Sequence, residues 1–130
     1  MNMQAKVIIG LGSNWECEEH IEAAVRLLKV YFNKIVFSDA VYTEPIGMSQ
    51  PNLFLNQVAI AYTSRPMEEV RTALKSMEQQ LGRTPQFKQQ GIIPIDIDLL
   101  QWNDHIFKPQ DLEIAYIRQG IEAISSGMLK

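Results

Sequence analysis

The spacing of apolar residues divides the chain into strands and helices. Val7 to Ile9 and Lys34 to Tyr42 are rich in β-branched or aromatic residues, and Phe54 to Tyr62 alternates with the period of two that is typical of strands. From residue 21, and again after Pro66, apolar residues recur every three or four positions, which predicts two amphipathic helices. These positions are Ile21, Ala24, Val25, Leu28 and Phe32, then Met67, Val70, Leu74, Met77 and Leu81.

The order of the predicted elements indicates the fold class. A further strand is expected at Ile95 to Leu100 and a weaker helix at Ile117 to Ile124, while the polar segment Thr84 to Gly91 is expected to be a mobile loop. Strand, helix, strand, strand, helix, strand is the order of a ferredoxin-like α+β sandwich. In that architecture an antiparallel-rich sheet carries helices on one face and leaves the other face open to ligands.

The strand at residues 95–100 carries two carboxylates. Side chains alternate across a strand, so Ile95, Ile97 and Leu99 share one face while Asp96 and Asp98 share the other, roughly 6–7 Å apart. No arginine adjoins the pair in the sequence, so hydrated Mg²⁺, which binds one or two carboxylates together with substrate phosphates, is the expected partner. Two solvated acids on a half-exposed edge strand are the alternative interpretation.

Composition restricts the classes of function. The chain has 130 residues, of which 46% are hydrophobic and 21% charged, which suits a single domain over residues 1–130. A net charge of −3 with scattered basic residues argues against nucleic acid as a partner. The sequence has no apolar run of about 18 residues and no signal-peptide pattern, so a cytoplasmic protein without membrane partners is expected. Cys17, His20 and His105 are isolated, which argues against a disulfide or a zinc site.

Five motifs together resemble those of the 6-hydroxymethyl-7,8-dihydropterin pyrophosphokinase family. In order along the chain they are Gly10-Leu11-Gly12-Ser13-Asn14, Val41-Tyr42-Thr43-Glu44-Pro45-Ile46-Gly47, Phe54-Leu55-Asn56-Gln57-Val58, Met77-Glu78-Gln79-Gln80-Leu81-Gly82-Arg83 and Ile95-Asp96-Ile97-Asp98-Leu99-Leu100. This family transfers a pyrophosphoryl group from ATP to the hydroxymethyl oxygen of the pterin, in folate biosynthesis, and releases AMP. The resemblance implies a ferredoxin-like fold, two Mg²⁺ ions, ATP as co-substrate and small-molecule partners only.

The resemblance also implies roles for particular residues. Asp96 and Asp98 would bind the metal ions and act with Arg83 in catalysis. The pterin site would contain Thr43, Ile46, Phe54 and Asn56, and the nucleotide site would contain Glu78, Arg83, Leu99, Leu112 and Tyr116, with the two leucines framing the adenine. From the residues alone, other interpretations stay open. Asn56 would brace a neighbouring loop, Phe54 would pack in the core, and Glu78 and Arg83 would be solvated surface charges.

Several positions depart from the family pattern. The arginine that the family carries before the Asp strand is replaced by Ile93, and its Pro-His pair corresponds to Ala115 and Tyr116. The family's later Arg-x-Phe corresponds to Glu122 and Ile124 at its two ends. Each lost charge-assisted contact to a phosphate is worth roughly 1.5–3 kcal/mol, so these replacements bear directly on activity.

Two functional hypotheses follow from the matches and the departures. In the first, the chain is an active pyrophosphokinase in which Arg83, Lys88 or Arg118 substitutes for the missing cations. In the second, it is a degraded homologue that binds a nucleotide, a pterin or a protein partner without turnover. The intact carboxylate pair, with Asn56, Glu78 and Arg83, favours the first hypothesis. The replacements at Ile93, Tyr116 and Ile124 favour the second. Release of AMP from MgATP in the presence of the pterin distinguishes the two.

Overall fold

A computed structural model describes residues 4–43, 53–112 and 114–125 of the chain. Its strands are β1 (Ala5–Ser13), β2 (Lys34–Phe37), β3 (Val41–Thr43), β4 (Phe54–Thr63), β5 (Asp96–Trp102) and β6 (His105–Ile106). Its helices are α1 (Cys17–Tyr31), α2 (Met67–Gln80), α3 (Pro85–Gln89), α4 (Pro109–Leu112) and α5 (Ala115–Ser125). Within these ranges, no helix is long and apolar enough to cross a membrane.

The strands pair into an antiparallel sheet in the order β2-β4-β1-β5-β6, with β3 also paired to β4. Strand β1 is central, and its register places Gly12 opposite Asn56 of β4 on one side and Asp96 of β5 on the other. Gly10 likewise lies between Val58 and Asp98. The predicted ferredoxin-like α+β class is confirmed, and Asn56, Gly12 and Asp96 form one row across the sheet.

Helices α1 and α2 cover one face of the sheet, as the apolar spacing predicts. The main core consists of buried side chains from these helices, from β1, β4 and β5, and from Ile95 just before β5. Its largest fully buried members include Phe32, Leu28, Leu74, Ile9 and Ile95. Burial of a large apolar side chain stabilises the fold by about 1.5–3 kcal/mol, so this face supplies most of the driving force for folding.

The opposite face is partly covered, which the sequence did not predict. Ile117 of α5 packs with Ile8, Val58, Ile60 and Leu100 in a second, smaller cluster. Gly120 makes the close approach of α5 possible, because a Cβ at this position would lie 3.1 Å from Cβ of Ser38. Helix α5 therefore closes one part of this face and leaves the part around Gly12 open.

The strand predicted at Lys34 to Tyr42 is divided in two by Ser38. The backbone N–H of Ser38 donates to the carbonyl of Val58 at 2.8 Å, but its hydroxyl accepts the N–H of Val58 at 2.9 Å. The carbonyl of Ser38 accepts instead from the side-chain amide of Gln57 at 2.6 Å. The side chains of Ser38 and Gln57 thus replace one step of the ladder and separate β2 from β3.

The segment predicted as a mobile loop contains the short helix α3. Pro85 occupies its first turn, and the hydroxyl of Thr84 accepts the N–H of Phe87 at 3.2 Å, which caps the helix. The ring of Phe87 lies 5.4 Å from that of Trp15, so α3 rests on the turn that follows β1. The capping threonine and the aromatic residue are both visible in the sequence. The contact between Phe87 and Trp15 is not, because the two residues are far apart along the chain.

Asn14 ties the end of β1 to the segment that precedes β5. Its side-chain amide donates to the carbonyl of Gly91 at 2.7 Å, and its Oδ1 accepts the N–H of Ile93 at 2.6 Å. Its own N–H donates to the carbonyl of Ile93 at 3.0 Å. Asn14 does not cap α1, because the N-cap of that helix is Glu16, which makes no side-chain cap bond.

Candidate active site

The two aspartates of β5 lie on the face that the alternation predicts. Ile95 and Ile97 are 0% and 2% exposed in the main core, whereas Asp96 and Asp98 are half-buried on the opposite face. The cross-strand neighbours of the aspartates on β1 are glycines, so no side chain of β1 stands between the carboxylates and the open part of the face. Gly12 therefore leaves room beside Asp96, whereas the side chain of Leu100 packs over Gly10.

Arg83 compensates the charge of Asp96, so the expectation that the pair has no arginine partner is wrong. Its Nη1 donates to Oδ1 of Asp96 at 2.6 Å, to Oε2 of Glu78 at 3.2 Å and to the carbonyl of Ile95 at 3.4 Å. Gly82 has a φ of 100°, a conformation that suits glycine and turns the chain after α2 back toward β5. The contact depends on this turn and not on closeness in the sequence.

Glu78 is buried beneath the site and is not a surface charge. Its side chain is 4% exposed, and Oε2 accepts the N–H of Ile97 at 2.7 Å in addition to the guanidinium of Arg83. Its other oxygen lies 3.3 Å from Nζ of Lys75. Both carboxylate oxygens of Glu78 are therefore engaged within the protein, and they fix the end of α2 to the backbone of β5.

The two aspartates differ in their affinity for protons. Burial, together with the charge of Asp96, raises the pKa of Asp98 to about 6, although Lys108 lies 3.4 Å from Asp98 Oδ2. Burial also acts to raise the pKa of Asp96, but hydrogen bonds with Asp98 and Arg83 outweigh it and lower that pKa. Asp96 is thus the carboxylate that keeps its charge, and Asp98 is the one that gains a proton first as the pH falls.

The donor set fits a hard divalent cation. Glu78, Asp96 and Asp98 each place one carboxylate oxygen within 4.8 Å of the others. Oxygen ligands of this kind suit Mg²⁺, which commonly uses one or two carboxylates and keeps water or phosphate in its remaining positions. Because both oxygens of Glu78 already accept hydrogen bonds, Asp96 and Asp98 are the residues available as ligands.

A cavity of about 480 Å³ opens beside the aspartates and contains three of the predicted substrate residues. The lining residues include Gly10, Gly12, Thr43, Phe54, Asn56, Asp96, Asp98, Asp111, Tyr116 and Ile117. Asn56 is 5% exposed, and its amide nitrogen donates to the hydroxyl of Thr43 at 2.6 Å and to the carbonyls of Phe54 and Val41 at 3.3 and 3.4 Å. Asn56 therefore braces β3, as the alternative interpretation had it, while its amide oxygen faces Gly12.

A second cavity, of about 530 Å³, lies between α2 and β5. Leu74, Ile97 and Leu99 provide apolar walls, and Arg71, Lys75 and Lys108 provide positive charge. Asp98 also lines this cavity, so the two cavities adjoin at the carboxylate of Asp98. The sequence did not single out Lys108. The Asn103-Asp104 turn could have located it, because the hairpin pairing of Gln101 with Ile106 brings the residues that follow β6 back alongside β5.

The structure does not unite all the residues predicted for the nucleotide. Leu99 lines the second cavity, whereas Leu112 packs against the cluster on the other face, and Tyr116 lines the first cavity. Burial raises the pKa of Tyr116, and the charges of Asp111, Asp96 and Asp98 add to the effect. Ile46 lies outside the described residues.

Of the positions that depart from the family pattern, Tyr116 lines the first cavity, whereas Ile93, Glu122 and Ile124 stand apart from both cavities. Glu122 is exposed, and Ile124 packs against the second cluster. Ile93 is half-buried, and its backbone is held by Asn14. None of these three residues is among those that line the two cavities.

Carboxylates flanked by cations at the junction of two cavities are the arrangement of enzymes that transfer phosphoryl groups with the help of divalent metal ions. The family model of 7,8-dihydro-6-hydroxymethylpterin-pyrophosphokinase matches residues 8–126, and the chain belongs to this family. Its members are ATP-dependent pyrophosphokinases, which are transferases of folate synthesis.

Named relatives agree with this assignment. The chain is 30% identical over 113 residues to the 2-amino-4-hydroxy-6-hydroxymethyldihydropteridine pyrophosphokinase of Aquifex aeolicus, covering 86% of this chain and 70% of that protein. It is 32% identical over 101 residues to the protein of the same name from Porphyromonas gingivalis, covering 74% and 68%. A folate synthesis bifunctional protein of Arabidopsis thaliana is 30% identical over 102 residues, which are 77% of this chain and 21% of the plant protein.

Proposed function

We propose that this chain transfers the pyrophosphoryl group of ATP to the hydroxymethyl oxygen of 6-hydroxymethyl-7,8-dihydropterin and releases AMP. The observation that carries the proposal is the position of Asp98, which lines both cavities and has Asp96 beside it. Transfer between two substrates requires that they bind side by side with the phosphates at the junction. The attacking oxygen forms a bond to the β-phosphorus and releases its hydroxyl proton to the solvent, and the bond from that phosphorus to the oxygen of AMP breaks.

The pterin is assigned to the first cavity. Gly12 leaves a flat floor without a side chain, on which a planar ring can rest, and Phe54 borders it. The amide oxygen of Asn56 faces this floor and would accept a hydrogen bond from the ring edge. Thr43 holds the amide in that orientation. The amide oxygen of Asn56 would thus bind the ligand, while the amide nitrogen holds β3 in place.

The nucleotide is assigned to the second cavity. Leu74 and Leu99 offer an apolar surface for the adenine, and the positive side chains of the same cavity would face the phosphates. Tyr116 approaches from the first cavity, so its contact would be with the phosphates near the carboxylates and not with the base. Leu112 has no place in this assignment, since it packs on the other side of the sheet.

Asp96 and Asp98 would hold Mg²⁺, two ions in the full complex. Bound metal ions would orient the attacking hydroxyl and neutralise charge on the triphosphate. Arg83 keeps Asp96 ionised and in position, and Glu78 in turn keeps Arg83 in place. Arg83 is 24% exposed, so its guanidinium is also within reach of a ligand at the junction. Asp98 must lose its proton before it serves as a ligand.

The proposal extends to the organisation and setting of the protein. We assign residues 1–130 to a single catalytic domain that acts on small molecules in the cytoplasm. A net charge of −3 and a pI near 5.3 support the absence of a nucleic-acid partner.

Measurement of AMP release tests the proposed function. MgATP is incubated with the protein, with and without the hydroxymethyldihydropterin, and nucleotides are separated by chromatography. We expect AMP to form only when the pterin is present, in equal amount to the pterin diphosphate. Binding of MgATP and pterin without AMP would contradict the proposal and favour the non-catalytic hypothesis, and formation of ADP would indicate a different reaction.

Replacement of Gly12 by Ala tests the assignment of the pterin. The new Cβ would lie 3.4 Å from Asn56 Oδ1 and 3.8 Å from Phe54 Cδ2, which are ordinary contacts, so the variant should fold with a stability within about 1 kcal/mol of wild type. The methyl group would stand on the floor of the first cavity. We expect pterin affinity, measured by calorimetry, to fall at least about tenfold. Unchanged affinity in the folded variant would exclude this floor as the pterin site.

A further inference from the structure

Lys108 is a second cation at the carboxylate pair, and the protein holds it much less firmly than Arg83. Its Nζ lies 3.4 Å from Asp98 Oδ2, and its side chain is 43% exposed. The guanidinium of Arg83, in contrast, contacts two carboxylates and a backbone carbonyl. A single ion pair with one partly exposed member contributes little to stability, so Lys108 can leave Asp98 at small cost.

The backbone at Lys108 is fixed, which limits any movement to the side chain. On one side, the N–H of Phe107 donates to the carbonyl of Leu100 at 3.0 Å. On the other side, the carbonyl of Lys108 accepts the N–H groups of Asp111 and Leu112, at 3.1 and 3.4 Å. The start of the lysine side chain is therefore anchored at the wall of the second cavity, and its flexible end carries the charge.

The other cations of the second cavity have separate partners. The guanidinium of Arg71 lies 4.6 Å from the centre of the Phe107 ring, and Lys75 is paired with the buried Glu78. Lys108 is paired with Asp98, which is a proposed metal ligand. When a metal ion engages Asp98, the ammonium group of Lys108 loses this partner inside a cavity assigned to a nucleotide. The phosphates of that nucleotide would provide a replacement.

The cations that the sequence suggested as substitutes for the missing arginines are less suitable. Lys88 and Arg118 are exposed, and neither is among the residues that line the two cavities. Arg83 is already committed to Asp96 and Glu78. Of the cations in the described part of the chain, Lys108 is the one that combines a place in the second cavity with contact to the carboxylate pair.

We infer that Lys108 binds the phosphates of the nucleotide and pairs with Asp98 only while the nucleotide is absent. The inference rests on the proposed function for the location of ATP. Exchange of partners keeps every charge paired: Asp98 passes from the ammonium to the metal ion, and the ammonium passes from Asp98 to a phosphate oxygen. Lys108 thereby supplies part of the positive charge that Ile93 does not.

Binding measurements on Lys108→Met and Lys108→Gln test the inference. We expect the affinity for MgATP to fall at least about tenfold, because a charge-assisted contact to phosphate is lost. Affinity for adenosine should stay the same, and affinity for Mg²⁺ alone should rise, since Asp98 no longer has a competing cation. Lys108→Arg should restore the affinity for MgATP. Arg118→Met removes an exposed cation outside both cavities and should leave all three affinities unchanged.

The opposite changes for MgATP and for Mg²⁺ alone are the signature of partner exchange. Unchanged MgATP affinity in both variants, or an equal loss for adenosine, would overturn the inference, because the first excludes a phosphate contact and the second indicates lost packing. AMP release by the wild-type protein tests the proposed function separately. Turnover in wild type with unaltered binding in the variants overturns only the role of Lys108, whereas Lys108-dependent binding without turnover overturns only the function.

Discussion

Asp98→Asn is expected to reduce pterin-dependent AMP release by about 1000-fold, a loss of roughly 4 kcal/mol in transition-state stabilisation. An amide keeps the shape of the side chain but removes the negative charge that attracts a metal ion at the junction of the cavities. The same variant should be more stable than wild type at neutral pH, by about 1 kcal/mol, because it also removes a charge that burial and Asp96 make unfavourable. Kinetics and urea unfolding measure the two effects.

The pH dependence of stability tests whether the charge of Asp98 causes the difference in stability between the variant and wild type. The folded protein holds the proton of Asp98 up to about pH 6, whereas the unfolded chain releases it near 3.8. Between these values the folded state binds more protons, so this group makes the wild type less stable as the pH rises, and the effect is complete above pH 6. The Asn variant should lack this contribution. An equal stability difference at pH 4 and pH 7 would contradict the explanation, and retained turnover would exclude Asp98 as a metal ligand.

Glu78→Ala is expected to destabilise the protein by about 3–5 kcal/mol, the largest stability effect that the site predicts. The substitution leaves the N–H of Ile97 without its acceptor and deprives the guanidinium of Arg83 of one carboxylate. Glu78→Gln keeps an acceptor oxygen but not the charge, so we expect an intermediate loss. Unfolding in urea measures both variants.

Glu68→Ala, on the same helix, is the matched control for Glu78. The side chain of Glu68 is 82% exposed and reaches Arg71 only at 3.9 Å, so its removal should change the stability by less than about 0.5 kcal/mol. A loss of stability in Glu78→Ala no larger than in this control would show that the buried carboxylate of Glu78 does not stabilise the site. A fall in MgATP affinity of Glu78→Gln at unchanged stability would instead assign Glu78 to the nucleotide.

Much of the fold could be predicted because its signals are local. The alternation of Ile95, Asp96, Ile97 and Asp98 fixes which face each side chain occupies, and helical spacing locates α2 in the same way. The break at Ser38 was missed, since it depends on a hydroxyl that takes over a ladder hydrogen bond from another strand. Local spacing carries no information about such a partner.

The cations of the site illustrate the same limit. Arg83 reaches Asp96 because α2 packs against β5 and the chain turns at Gly82. The two residues are 13 positions apart, so their contact cannot be read from the sequence. The family resemblance named Arg83 and Glu78 as nucleotide residues but gave no indication that Glu78 is buried. Lys108 lies outside the recognised motifs, although its place followed from the register of the β5–β6 hairpin.

The three hydrogen bonds of Asn14 have a thermodynamic consequence for ligand binding. They join the end of β1, which carries the glycine floor, to the segment that leads into the aspartate strand, and Asn14 itself is 5% exposed. The floor and the carboxylates are therefore ordered relative to each other when the chain folds. The conformational entropy of these two segments is lost when the chain folds and not when a ligand binds. Binding therefore costs only the entropy of the ligand and of the side chains that it contacts.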